Sequence, residues 1–233
     1  MKKDVYEYIE IIKPYVADLF KNDYSGHDTG HLERTMKVAL FIQKQEGGDS
    51  IIIGIASYLH DIHRIMQNES GHFVSPKDSL PKVREILSHT DLTEEEINKI
   101  CYCIEYHEEY NWNGDNVTDI NALILQDADN LDAIGAIGIG RAFLYGGAHN
   151  IAMYDENIPL NSNSDYKEHS GDNETTIHHF YHKLFKLGDN MNTKTGRILA
   201  EKRIEYMKEF SKIFLDEWKG NYLEKNECLK RIK

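Results

Sequence analysis

The chain has 233 residues, 40% of them hydrophobic, which is enough to enclose a sizeable core, and one domain is the expectation. A formal net charge of -12, with 27 Lys and Arg against 39 Asp and Glu, argues against nucleic acid or an anionic membrane as partner, since both need clustered positive charge. Cys101, Cys103 and Cys228 form no Cys-x-x-Cys pair, so neither a disulfide framework nor a thiolate zinc site is indicated. The opening MKKDVYEYIE lacks the apolar core of a signal peptide, and the longest apolar stretch, residues 51–59, is too short to span a bilayer; a cytoplasmic location is expected.

In chain order, Val5, Tyr8, Ile11, Ile12, Tyr15, Val16 and Phe20 recur at the spacing of one helical stripe. A second helix over 31–43 follows, with Asp28 as its N-cap and Gly47-Gly48 as its stop. Residues 51–61 are apolar on nearly every side, which predicts a short buried helix; the β-branched run Ile51-Ile52-Ile53 makes a strand the competitor. Pro81 is placed in a first helical turn ahead of 83–88, and Thr93 with Glu96 forms a capping-box signature for a helix through Tyr106. Residues 119–145 predict helix with a break among the glycines, and 175–187 and 193–218 predict two more. Segments 63–80, 111–118 and 146–173 carry no clear period; the last, rich in Asn, Asp, Ser and Gly, is the candidate lid over a pocket. With no hairpin signature, the fold class is all-α.

The strongest local chemistry is the dipeptide His60-Asp61 at the end of the buried helix, where both groups are costly to desolvate without a partner, and a metal ion is one such partner. Adjacent helical residues diverge by about 100°, so both reach one ion only if it sits off the seam between them. A second His-Asp pair, His27-Asp28, lies in the loop YSGHDTGH, and the helical placement of His31 favours it over His27 as a ligand. The run QDADNLDAIGAIGIGR holds Asp127, Asp129 and Asp132; Asp129 and Asp132 share a helical face and Asp127 points away from it, so the three do not serve one ion together. Gly135, Gly138 and Gly140 stand in the order GxxGxG, which fits close helix packing better than a nucleotide loop.

The ordered strings GHDTGHLERT, ASYLHDIHR and DADNLDAIGAIGIGR, with HHFYHKLFKLGDNMNT towards the end, resemble the HD-domain superfamily of metal-dependent phosphohydrolases, and more closely its bacterial nucleotide-directed branch. The resemblance runs from about Tyr24 to Trp218. It implies one helical HD domain over 1–233, with a metal-binding core over about 20–145 and additional C-terminal helices over 174–218. It also implies His31, His60, Asp61 and Asp129 as the ligands of one divalent ion, with Asp61 catalytic; Asp127 is kept as a candidate supporting those ligands. Such nitrogen and oxygen ligands do not choose among Mn, Fe, Co, Ni, Zn and Mg. Two neutral imidazoles and two carboxylates around a divalent cation sum to zero, so a phosphate approaches without repulsion while the ion polarises it and lowers the pKa of water.

In one position the chain departs from that pattern. Many related hydrolases carry an acidic residue three positions after the doublet, where this chain has Arg64, a residue suited to holding phosphate. The acid or base then falls to Asp127, Glu105, His107 or bound water. Lys183 and Lys186 are candidates for neutralising further phosphates, and Arg34 for binding substrate, orienting the site or pairing with Asp28; Tyr24, Asn192 and Arg141 rank below them. The expected activity is hydrolysis of a phosphoester or phosphoanhydride of a small molecule, a nucleotide foremost. His107, with His72 or His89, supplies imidazoles for a second metal, which would fit a di-iron oxygenase of the same superfamily; alternatively His107 is an imidazolium at a helix C-terminus. A nucleotide sensor that binds without turnover is the other rival reading. The sequence leaves the oligomeric state open.

Overall fold

A computed structural model describes residues 3–21, 26–108, 117–160 and 175–221. Among them are helices and turns and no strand, so the all-α expectation holds. Helix α1 (Val5–Phe20) starts on a capping box in which Asp4 accepts from the Glu7 N–H and Glu7 reaches back. It buries Val5, Tyr8, Ile9, Ile12, Val16 and Phe20, while Tyr15, counted in the predicted stripe, lies outside the core and stacks on His89 at 4.2 Å.

Helix α2 (Thr29–Glu46) is capped by Asp28 and ends at Gly47, whose φ of 89° few side chains tolerate. Helix α3 (Ser50–Leu59) settles the contest over the β-branched run: Asp49 accepts from the N–H groups of Ile51 and Ile52, and every residue from Ile52 to Leu59 is buried. Packing against α1, α2, α6 and α7 outweighs the small propensity penalty of three isoleucines.

Residues 63–80, without a clear period in the sequence, form helix α4 (Ile62–Ser70), closed by left-handed Gly71, and the start of α5 (Pro76–Leu87). Pro76, not Pro81, occupies the first helical turn, because Ser75 and Asp78 make a capping box around it; Pro81 lies inside the helix. Helix α6 (Glu94–Glu105) begins on the predicted Thr93–Glu96 box. The stretch 119–145 divides into α7 (Ile120–Asp132) and α8 (Gly135–Ala148), with the break at Ala133-Ile134 and Gly135 at φ 80°.

The helix expected over 175–187 is a composite: α9 (Thr176–His179), a π-helical turn (Phe180–Leu184) and α10 (Phe185–Leu187), followed by a 3-10 turn to Asn190 and the long α11 (Lys194–Trp218). Of the proposed lid segment, residues 146–148 complete α8, 149–160 are turns, and 161–173 lie outside the described residues, as do Tyr24, Cys228 and most of 111–118.

Apolar side chains gather into two clusters, one around α1, α3, α5 and α6, the other around α8, the composite helix and α11. Helices α2, α3 and α7 contribute to both. The start of α2, the end of α3 and the last turns of α7 carry His31, His60-Asp61 and Asp129. No described helix is long and apolar enough to cross a membrane.

Candidate metal centre and adjoining cavity

Asp28 accepts from the His31 N–H at 2.9 Å, which fixes His31 in the first turn of α2. The His31 Nδ1 donates to Asp132 Oδ2 at 2.8 Å, and the His60 Nδ1 donates to the Ser57 carbonyl at 2.9 Å. Both partners only accept, so in the neutral rings each Nε2 presents a lone pair. These two Nε2 atoms face each other at 3.2 Å. Asp61 Oδ2 lies 3.2 Å and Asp129 Oδ1 3.4 Å from His31 Nε2, and one oxygen of each carboxylate lies 3.6 Å from His60 Nε2.

Adjacent residues His60 and Asp61 both reach this point because the helix ends between them. Asp61, at φ -92° and ψ 12°, has left the α3 register before α4 begins. Asp61 Oδ2 is buried without a hydrogen-bond partner.

With both rings neutral, four acceptor groups converge with no donor among them, an arrangement that repels itself unless a positive charge, a proton or a cation, sits at its centre. The titration of the groups reflects this field. Burial works against a charged His60, yet Asp61 and Asp129 raise its pKa to about 9. Burial likewise opposes ionisation of both carboxylates, and the two histidines nevertheless hold them well below the usual range. The donor set fits a divalent cation.

Helical spacing gives Asp132 no more than a face shared with Asp129, whereas the structure gives it a role at the site. Besides His31 it holds Arg34, through Nε at 2.8 Å and Nη2 at 3.0 Å, and Arg141 at 3.0 Å. Arg34 is therefore engaged by Asp132, and its hydrogen bonds serve the orientation of the site.

The structure does not bring Asp127 to the centre. Two residues from Asp129, it points to the far side of α7, where it accepts from the Asn192 N–H (2.7 Å), the Asn192 side chain (3.0 Å), the Thr193 N–H (2.7 Å) and the Thr193 hydroxyl (2.6 Å). Burial pushes this carboxyl up although those bonds pull it down. Its acceptor capacity is spent on the entry to α11, away from the centre where the sequence reading placed an acid or base. Glu105 pairs with Lys77 at 2.8 Å, and His72 is exposed.

Beside the centre lies a cavity of about 330 Å³, to which Asp129 contributes. Arg64, Arg141 and Lys183 bring positive charge to its lining, and Tyr145, Leu184 and Leu187 bring apolar surface. Lys186 is not part of that lining. Arg64 is paired with Glu108. His27, less favoured than His31 as a ligand, lines the cavity with its ring nearly perpendicular to that of His31 at 5.7 Å, and burial lowers its pKa to about 4. The π-helical turn follows His179 and carries Lys183 and Leu184, all three lining residues; π-turns inside helices recur at functional sites.

His107 follows the end of α6, where burial lowers its pKa to about 4. It is a neutral imidazole, not the imidazolium that a helix-dipole role needs. Its ring centroid is 5.1 Å from that of His60 and 5.4 Å from that of His63.

The HD-domain family model matches residues 29–134, a stretch containing His31, His60, Asp61 and Asp129. YpgQ of Bacillus subtilis is 30% identical over 204 residues, spanning 86% of this chain and 89% of that protein. Its structure in complex with ADP superposes with a TM-score of 0.68 at 27% identity, covering 91% of this chain and 95% of that one. A protein from Lactobacillus plantarum gives a TM-score of 0.77 at 31% identity over 94% and 100% of the two chains. An HD-superfamily hydrolase from Bacillus thuringiensis gives 0.69 at 34% identity over 92% and 98%. Ordered motifs, helical frame and relatives agree, and the chain belongs to the HD-domain superfamily.

Proposed function

We propose that the chain is a metal-dependent phosphohydrolase acting on a phosphoester or phosphoanhydride of a nucleotide. The observation that carries this reading is the convergence of His31, His60, Asp61 and Asp129 on one point beside a cavity lined by Arg64, Arg141 and Lys183. A bound divalent cation supplies Lewis-acid polarisation of a phosphoryl oxygen and a lowered pKa for a water molecule.

The chain's own residues supply the rest. Asp132 holds His31 with its Nε2 bare, and the Ser57 carbonyl does the same for His60, so the ligands need no rearrangement. Arg64, with its planar fork of donors, and Lys183 offer charge-assisted hydrogen bonds to phosphate oxygens, while Arg141 is tied to Asp132 and sets the position of that wall. Tyr145, Leu184 and Leu187 provide apolar surface for a base or sugar. That YpgQ forms a complex with ADP supports a nucleotide as the occupant. Lys186, outside the lining, has no such part.

A panel of nucleoside mono-, di- and triphosphates and simple phosphoesters, run with each divalent metal and read by product identity, tests the proposal. Metal-dependent release of phosphate or pyrophosphate is the expected result. Nucleotide binding without turnover under every metal would replace the hydrolase with a sensor.

A further inference from the structure

Helix α11 packs one side against α2, α7 and α8, burying Ala200, Ile204, Met207 and Ser211. On the opposite side Ile198, Tyr206 and Ile213 stand 53%, 50% and 50% exposed, with Lys202, Glu205 and Glu209 exposed between them. At 3.6 residues per turn these six positions fall within a stripe about 100° wide. Exposed apolar side chains scattered singly need no explanation, but three large ones along one stripe of a 25-residue helix make a face.

The charges on this face go unused within the chain. On α1, α2, α5 and α6 a lysine pairs with a carboxylate three or four residues away. Lys202 and Glu205 have that spacing on α11, yet among the described residues Lys202, Glu205 and Glu209 form no ion pair. The stripe is instead its own antiparallel complement. Laid against a second α11 running the other way, it sets Ile198 against Ile213, Lys202 against Glu209 and Glu205 against Tyr206, each contact occurring twice about a twofold axis. Tyr206, at the centre, brings a phenol donor to a carboxylate and an aromatic ring of the kind enriched in interface cores. Parallel pairing in register would oppose Lys202 to Lys202 and Glu209 to Glu209, which like charges disfavour.

We propose that the outer face of α11 is a homodimerisation surface, on which a second copy of this chain packs its own α11 antiparallel. The occupant is a second copy because the face complements itself position by position, in apolar character at its ends and in charge between them. Exposed Lys194 and Glu217, four residues beyond Ile198 and Ile213, continue the same complementarity at the rim. None of the described residues lining the cavity lies on α11, so the pairing leaves the cavity and the metal centre open. This inference goes beyond the hydrolase reading and does not rest on it.

The test is sedimentation velocity of the full chain across a concentration series, with circular dichroism to show that each variant keeps its helices. A dimer in equilibrium with monomer is expected. Lys202→Glu, which opposes two carboxylates, and Glu209→Lys, which opposes two ammonium groups, should each weaken association roughly tenfold or more. The two reversals combined in one chain restore opposite charges across the axis and should restore the dimer. A monomer at every concentration overturns the proposal. A dimer unchanged by both single reversals overturns it as well, since it then forms through another face. Loss of the dimer in the single variants without recovery in the double variant overturns the antiparallel pairing on which the proposal stands. None of these readouts depends on turnover, so the hydrolase reading is tested separately.

Discussion

His31 Nδ1 donates to Asp132 Oδ2 at 2.8 Å, and the same carboxylate is gripped by Arg34 and Arg141. A buried carboxylate thus fixes which nitrogen of His31 carries the proton, and two guanidiniums fix the carboxylate. In Asp132→Asn the amide can turn its NH₂ towards Nδ1, which moves the ring proton to Nε2 and blocks the ligand atom. Metal affinity measured by competition with a coloured chelator should weaken roughly 10–100-fold. Unchanged affinity would show that Asp132 does not set the tautomer.

Asp132 also predicts a pH dependence. Burial would raise its pKa, but the hydrogen bonds from His31 and Arg34 bring it below its ordinary value of 3.8. The unfolded chain therefore takes up this proton before the folded one does, so the stabilisation is complete above about pH 4 and is lost as pH falls further. Thermal midpoints of the chelated protein, taken between about pH 5 and pH 3, should drop more steeply in the unaltered chain than in Asp132→Asn. Parallel curves contradict the assignment.

Asp127 makes a contrasting case. Asp127→Ala strips the acceptor from two backbone N–H groups at the entry to α11 and should cost roughly 2–4 kcal/mol in denaturant unfolding. The bound-metal count should stay as it is. Near-normal stability with loss of metal would return Asp127 to the centre.

The quartet was readable in the sequence because each member sits in a distinctive local string: a capped helix start, a doublet closing an apolar helix, an acid in an apolar run. Helical spacing already sets Asp127 and Asp129 on different faces; what the sequence did not show is what Asp127 meets there, the backbone of Asn192 and Thr193 at the entry to α11. Asp132 and Arg34 meet across 98 residues, a separation over which no spacing rule operates. In the fold, α3 was recovered from burial pattern against its β-branched bias, whereas α4 and the start of α5 were hidden in a polar stretch with one short stripe.

The reading of the α8 glycines as packing residues can be tested by a pair of substitutions. At Gly138 an added Cβ would press into the Ala133 backbone, so Gly138→Ala should destabilise by about 1–3 kcal/mol. At Gly140 nothing lies within 4 Å, and Gly140→Ala should be neutral or stabilise by up to about 1 kcal/mol. Equal effects at both positions, followed by chemical denaturation, would contradict close packing at Gly138.

The measurement that bears most directly on the account is nucleotide turnover by chelator-stripped, metal-reloaded protein, compared between the unaltered chain and Asp61→Ala, with circular dichroism to show that the helices persist. The account predicts release of phosphate or pyrophosphate that requires added metal and falls to background in Asp61→Ala. Turnover of the same rate in the folded Asp61→Ala chain, or turnover indifferent to metal, would contradict it.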